Sequence, residues 1–99
     1  MNPAKVSRNR LSVHTDLPNI GAAGAVDLQR LGYGTPQDLI GADPVAMYFR
    51  LCTITGKRQD PCVLDVFISV TRFMAGEQPE VWWHYTEERK RLLSDGERP

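Results

Sequence analysis

The sequence predicts an all-α domain of about five helices, in which two helix-turn-helix units pack around one central hydrophobic helix. Apolar residues recur at helical spacing in three separate segments. Thr-Pro or Asp-Pro pairs stand at three of the expected helix starts, with Thr or Asp as the N-cap and Pro in the first turn. A chain of 99 residues is long enough for one domain with a modest core.

Residues 1–13 precede the first predicted turn and are polar and basic. Chain termini are commonly poorly ordered, so this segment is predicted to be either a basic arm or a short first helix. Only residues 4–13 could supply a helix before the turn. The rest of the chain is predicted to form one domain at residues 14–93, which is followed by a flexible tail at residues 94–99.

A tight turn at residues 17–21, with the sequence Leu-Pro-Asn-Ile-Gly, organises the first unit. Asn19 and Gly21 are the residue types that best tolerate positive φ. Ile20 lies between them and is the apolar side chain that can anchor the turn in the core. The sequence therefore predicts a tight turn that is held from inside the protein.

The segment behind this turn, residues 22–31, is predicted to be a helix that is closed by Gly32. The first turn of a helix leaves backbone N–H groups unpaired at the positive end of the helix dipole. Such a group of amides is a ready anion site. The predicted anion site consists of Asn19, Ile20, Gly21, Ala22 and Ala23.

A short connector follows the first unit and begins at Thr35 and Pro36. Pro suits the first position of a helical turn, because its missing N–H would have no partner there. Leu39 and Ile40 are predicted to be the buried contacts of this connector. The sequence therefore predicts that this connector is a short helical link between the two units.

The second unit has two longer predicted helices joined by a turn. These elements are helix 43–54, the turn at 55–59 and helix 61–75. The last helix is apolar over most of its surface, so it is predicted to be the central helix. The turn contains Lys57 and Arg58, which are the kind of cationic side chains that the first turn lacks.

These features resemble the helix-hairpin-helix motif. The shared pattern is apolar-Pro-x-apolar-Gly at residues 17–21, with Ala25 and Leu28 in the helix behind it. The resemblance implies that the hairpin amides hold a phosphate oxygen of a nucleic acid backbone, with a candidate alkali-metal site at the first hairpin. That family usually has Gly where Asn19 stands, and often has Lys, Arg or Thr at positions 22–24. The second hairpin lacks the pattern and is therefore a degenerate copy.

Further phrases resemble one small bacterial family. They include residues 60–67 (DPCVLDVF), the Trp-Trp-x-Tyr-Thr-x-x-Arg-Lys run at residues 82–90, and the shorter matches at 41–44 and 51–56. With the first hairpin, they resemble the pathogenicity-locus family of short helix-hairpin-helix proteins, whose members are often labelled mitomycin-resistance proteins. More distantly, the chain is similar to the C-terminal domain of the competence regulator TfoX. The resemblance implies DNA binding or a DNA-linked scaffold role, a link to DNA repair or damage resistance, and no catalytic residue.

The function predicted from these features is weak binding to the DNA backbone without sequence preference. Amide contacts read no base edges, so they carry no sequence information. Net charge is zero, with twelve basic and twelve acidic residues, so any binding must come from a local patch. The second hairpin is expected to add phosphate contacts from Gly56, Lys57 and Arg58.

A second interpretation makes the chain a protein-interaction or dimerisation module with a purely structural hairpin. The candidate surface is the aromatic cluster of Trp82, Trp83 and Tyr85. Such a cluster could also stack on exposed bases or cap the small core. Zero net charge favours the interaction module over free DNA binding.

The sequence predicts no enzymatic activity and no metal site. It has no Ser-His-Asp constellation and no phosphate-binding loop with a Walker lysine. Cys52 and Cys62 lack the Cys-x-x-Cys spacing of zinc sites, so they are predicted to be buried free thiols. Two cysteines without an export signal suit the reducing cytoplasm, and no apolar run is long enough to cross a membrane.

Overall fold

The computed structural model describes residues 1–96, and the fold of these residues is all-α, as predicted. Four α-helices and four short 3₁₀ helices form within this range, and no strand does. The α-helices are α1 (Ala22–Arg30), α2 (Pro44–Thr55), α3 (Cys62–Met74) and α4 (Thr86–Gly96). The 3₁₀ helices are Pro3–Lys5, His14–Asp16, Pro36–Leu39 and Trp82–Tyr85.

Aspartate side chains begin the two longer helices, α2 and α3. The Asp43 carboxylate accepts hydrogen bonds from the amides of Val45 and Ala46, at 2.9 and 3.3 Å. The Asp60 carboxylate accepts one from the amide of Cys62 at 2.8 Å. Each aspartate thus pairs amides that a helix start leaves open.

Helix α3 contributes much of the core and packs against α2, α4 and the 3₁₀ helices Pro36–Leu39 and Trp82–Tyr85. Each fully buried large apolar side chain contributes about 1.5–3 kcal/mol relative to an exposed one. The buried apolar side chains of α3 are Leu64, Phe67, Ile68, Val70 and Phe73.

A buried ion pair joins α3 to α4. Asp65 in α3 is fully buried. Its carboxylate accepts hydrogen bonds from Nε of Arg89 at 2.8 Å and from the hydroxyl of Thr86 at 2.7 Å. A buried carboxylate must be paired in this way, because an unpaired one would carry a large desolvation cost. This contact fixes the start of α4, and with it the preceding Trp82–Tyr85 turn.

Of the two alternatives for residues 1–13, the short first helix does not form, because the 3₁₀ helix Pro3–Lys5 is the only helical turn described before His14. The segment is nevertheless held against the core. The Arg8 guanidinium lies 4.1 Å from the centroid of the Phe73 ring and donates to the carbonyls of Phe73 and Glu77. The Phe73 carbonyl also accepts from the amide of Gly76, so Arg8 adds a second donor at the C-terminal end of α3. The basic segment at residues 1–13 is therefore attached to the end of α3 through Arg8.

Two other predictions need correction. Helix α4 continues to Gly96, so residues 94–96 are helical and not part of a flexible tail, while residues 97–99 lie outside the described range. Ile40 is 62% exposed, although Leu39 beside it is fully buried. Ile40 follows the 3₁₀ helix Pro36–Leu39 as its C-cap in extended backbone, and its side chain there is turned to solvent. None of the described helices combines the length and apolar content that crossing a membrane requires.

Candidate nucleic-acid interface

The first hairpin is anchored in the core by its apolar side chains and by Asn19. Leu17 and Ile20 are both essentially buried. Asn19 has a φ of 65°, so the predicted positive φ is confirmed there. Its side-chain amide donates to the hydroxyl of Ser69 at 3.0 Å and to the carbonyl of Glu80 at 2.8 Å. The Asn19 side chain therefore braces the turn and is not turned toward a ligand.

Two of the five amides predicted to hold a phosphate are already paired. The Asn19 amide donates to the carbonyl of Met1 at 2.8 Å, and the Ile20 amide donates to Leu17 at 3.4 Å. The first bond that closes α1 runs from Ala25 to the carbonyl of Gly21. Amides 21–24 find no acceptor among the described residues, and residues 21–23 are exposed. The donors left for an anion therefore begin at Gly21.

Gly21 is the N-cap of α1, and its conformation does not require glycine. Its φ is −99°, which is extended backbone, so the predicted positive φ at this position is wrong. A Cβ added there would meet nothing within 4 Å. Gly24 differs, because a Cβ there would lie 3.3 Å from Cδ1 of Ile20. The missing side chain of Gly24 therefore makes room for Ile20, whereas that of Gly21 leaves the amides at the start of α1 uncovered.

The carbonyl side of the hairpin already holds a positive charge. The α-ammonium of Met1 donates to the carbonyls of Leu17 and Ile20, at 3.0 and 2.7 Å. Partial burial lowers the pKa of this amine, and the nearby Asp16 carboxylate opposes that shift. The alkali-metal ion at the first hairpin stays a prediction.

In the second hairpin, the backbone amides of Gly56 and Lys57 are paired with carbonyls at the end of α2. The amide of Gly56 donates to Thr53 and that of Lys57 donates to Cys52, both at 3.2 Å. Gly56 has a φ of 70°, which is typical of a residue that ends a helix. The prediction that these two amides are available to a phosphate is therefore wrong. The exposed side chains of Lys57 and Arg58 remain the candidate contacts of this hairpin.

Arg30 lies beside Lys57 and was not predicted to be part of the site. Both residues line one shallow groove together with Ile54 and Thr55. Arg30 pairs with Asp27 at 3.5 Å. Burial raises the pKa of Asp27, while the positive charges of Arg30 and Lys57 oppose that shift. The sequence does not predict that Arg30 lies near Lys57, because their proximity depends on how α1 packs against α2.

The two candidate contact regions lie toward opposite ends of α1. The bare amides are at its N-terminus, and the groove with Lys57 includes Arg30 at its C-terminus. Eight residue steps along a helix correspond to about 12 Å. The two regions are therefore separate contact points that flank one short helix.

Of the three residues in the predicted aromatic surface, only Trp83 is exposed. Tyr85 is only 4% exposed, so it belongs to the core, as the core-capping alternative expects, and it is not available to an interaction surface. Trp83 is 60% exposed, and Trp82 beside it is half-buried. The two indole rings meet edge to face, with centroids 5.3 Å apart and planes at 89°. This arrangement braces the exposed ring.

Cys52 and Cys62 are both free and half-buried, so they are less enclosed than predicted. Burial and a hydrogen bond to Asp60 raise the pKa of the Cys62 thiol. A thiol with a raised pKa is protonated at neutral pH and is a poor nucleophile. Within the described residues, no three His, Cys, Asp or Glu side chains are grouped to hold a metal ion.

Comparison with known proteins gives a family for this fold and site. The family model described as pathogenicity locus (Cdd1) matches residues 7–91. The chain belongs to the pathogenicity-locus family. It is also 41% identical over 80 residues to the mitomycin resistance protein McrB of Streptomyces lavendulae, which covers 81% of this chain and 76% of that protein. No solved structure matches. The more distant similarity to TfoX stays a prediction.

Two of the phrases that resemble the pathogenicity-locus family meet in the fold. Asp65 belongs to the phrase at residues 60–67, while Thr86 and Arg89 belong to the phrase at residues 82–90. Their side chains form the buried ion pair between α3 and α4. In this pathogenicity-locus protein, the two phrases therefore supply the side chains that join α3 to α4.

Proposed function

We propose that this chain binds the DNA backbone weakly and without sequence preference, and that it has no enzymatic activity. The observation that carries the proposal is the start of α1, where exposed amides from Gly21 onward have no acceptor among the described residues. Such amides at the positive end of a helix dipole favour a phosphate oxygen. Because the Asn19 and Ile20 amides are paired internally, this proposed site is narrower than the one the sequence predicts.

The proposal includes the architecture of two helix-hairpin-helix units around α3. In the first unit the 3₁₀ helix His14–Asp16 stands in place of a leading α-helix, and α1 follows the hairpin. In the second unit α2 and α3 flank the turn at residues 56–60. Side chains of Lys57, Arg30 and Arg58 would then supply the charge that the first hairpin lacks. The cytoplasm is the proposed location.

The name of the 41% identical relative supports a role in mitomycin resistance. We extend that role to this chain only as part of the proposal. Few cations are engaged, so we expect a Kd on the order of 10⁻⁴ M at physiological salt. The dependence of affinity on salt should be shallow, corresponding to about two to four neutralised phosphates.

Substitution of Gly21 by Asp tests the proposed site without disturbing the fold. The new carboxylate would accept the bare amides as an N-cap and would repel a phosphate. A Cβ fits at this position, so stability should change by only a few tenths of a kcal/mol. We expect Gly21→Asp to abolish the salt-sensitive NMR shifts that a short duplex induces at residues 21–24.

Gly21→Ala is the matched control, since it adds a Cβ in open space and leaves the amides exposed. It should bind the duplex as the unmodified chain does. Lys57→Gln should reduce the salt slope by about one, because it removes a single phosphate contact. If Gly21→Asp binds duplex unchanged, the first hairpin holds no phosphate. The interaction module, favoured by the exposed Trp83, then becomes the better interpretation.

A further inference from the structure

Trp83 and the start of α1 share one groove. Its walls are the Val81–Trp83 segment and the hairpin residues 19–21, and Met1, Asn2 and Pro3 close it on a third side. The groove has a volume of about 400 Å³, which is within the range of small-ligand sites. The free amide of Gly21 and the exposed indole of Trp83 are therefore available to one ligand.

The indole of Trp83 offers a flat face that is exposed and yet braced. It is 60% exposed, and the perpendicular ring of Trp82 supports its edge. Trp82 is itself half-buried, and it belongs to the same 3₁₀ helix as Tyr85, which is part of the core. A braced aromatic face can stack on a planar group without losing much conformational freedom.

The charge of the groove suits an anion that carries such a planar group. None of the residues that line it is acidic. The α-ammonium of Met1 lies on the hairpin carbonyls that border the groove, and the Gly21 amide adds a donor without an acceptor in the described range. An apolar peptide would use the indole but would leave this positive edge without a partner.

We propose that this groove takes an unpaired nucleotide of a DNA strand, with its base stacked on Trp83 and a neighbouring phosphate at the amides that begin at Gly21. The inference rests on the proposed function, since it uses the same phosphate site. Bases within a duplex are stacked on each other, so only an unpaired base can offer its face to an indole. The preferred ligand class is therefore single-stranded or locally unpaired DNA, in preference to intact duplex.

Three DNA ligands separate the contributions of base and backbone. They are single-stranded octathymidylate, the same strand with abasic spacers and the same number of phosphates, and a hairpin duplex long enough to remain paired, whose affinity is compared per phosphate. A stacked base typically changes affinity by about tenfold or more. We expect octathymidylate to bind about tenfold more tightly than the other two, and to quench the tryptophan fluorescence.

Trp83→Ala should weaken octathymidylate binding to the level of the abasic strand, and it should leave the affinity for the abasic strand unchanged. Trp83→Phe keeps an aromatic face and should retain most of the preference. Ile40→Ala is the matched control, because Ile40 is a similarly exposed apolar residue that does not line the groove. Circular dichroism confirms that each variant is folded.

Three results would overturn the inference in different ways. If octathymidylate and the abasic strand bind equally and both respond to Gly21→Asp, the stacking site is wrong and the proposed backbone binding stands. If neither strand binds at millimolar concentration, the inference and the proposed function are both wrong. If Trp83→Ala leaves DNA binding unchanged and converts a dimer to a monomer in sedimentation, the indole belongs to a protein interface.

Discussion

The turn at residues 17–21 and the turn at residues 56–60 both connect helical segments, but they present opposite chemistry to a ligand. The first turn is anchored by the buried Leu17 and Ile20, and it is followed by exposed amides without acceptors in the described chain. The second turn lies at the surface, and two of its amides close the end of α2. Its exposed features are the side chains of Lys57 and Arg58.

The difference follows from which end of a helix each turn serves. The free amides of the first turn lead into the N-terminus of α1, where donors remain open. Gly56 and Lys57 follow the C-terminus of α2, where carbonyls need donors and take these amides. Asp60 then accepts from the Cys62 amide at the start of α3. The two turns hold similar positions in their units, but the first leaves backbone amides exposed and the second leaves charged side chains exposed.

Ile20→Ala should give the largest effect, because it tests whether the first turn is part of the core. Ile20 is 1% exposed, and its removal leaves a cavity next to Gly24. Such substitutions typically cost about 2–5 kcal/mol in the free energy of unfolding. The matched change in the second turn, Lys57→Ala, should stay within about 0.5 kcal/mol, because its side chain is exposed. Urea unfolding followed by circular dichroism measures both, and equal losses would contradict the comparison.

Replacement of Asn19 should have an intermediate effect and would separate bonding from backbone strain. Asn19→Gly keeps the positive φ but removes the bonds to Ser69 and Glu80, so we expect a loss of about 1–2 kcal/mol. Asn19→Ala removes the same bonds and adds the strain of a left-handed residue, which costs about 1 kcal/mol more. The comparison needs unfolding free energies of both variants. An Asn19→Gly protein as stable as the parent would mean that the bonds to residues 69 and 80 are unimportant.

The smallest expected effect concerns two aspartates, one at each turn. The amides of Val13 and Ser12 hold the pKa of Asp16 below its ordinary value of 3.8, and the amide of Cys62 does the same for Asp60. Since the folded pKa is the lower one, each carboxylate stabilises the fold above the unfolded value. That stabilisation is lost as pH falls through the folded pKa.

Asp16→Asn and Asp60→Asn should therefore each reduce the loss of stability between about pH 4 and pH 2. Urea midpoints measured across this range for the parent and both variants provide the test. Because both carboxylates are exposed, the two changes should be small and similar. An acid response that changes only with Asp60→Asn would show that the first turn does not depend on its aspartate.

The helices were predictable where short sequence signals act locally. Asp43-Pro44 and Asp60-Pro61 gave the starts of α2 and α3 within one residue, and the predicted ends also lie within one residue. The positive φ of Asn19 followed from its residue type. In each case neighbouring residues supply the decisive steric or capping effect, so sequence context is sufficient.

Other features depend on partners that are distant in sequence and could not be predicted. Arg8 adopts its position because it reaches the carbonyls of Phe73 and Glu77. The buried bonds of Asp65 to Thr86 and Arg89 likewise join residues that are 21 and 24 positions apart. The hydrogen bond from the Asn19 amide to the Met1 carbonyl could not be predicted either, because only the fold brings these two residues together. Of the five amides that the sequence predicts to hold a phosphate, those of residues 21–23 have no acceptor in the described chain, while those of Asn19 and Ile20 are paired within the fold.

The bond between Asn19 and the carbonyl of Glu80 also constrains when the first hairpin can be completed during synthesis. The two residues are 61 positions apart. At about 5–20 residues per second, a ribosome adds Glu80 some 3–12 s after Asn19. During that interval the nascent hairpin lacks one of its braces. Its final shape is therefore acquired late, when the C-terminal segment has emerged and docked.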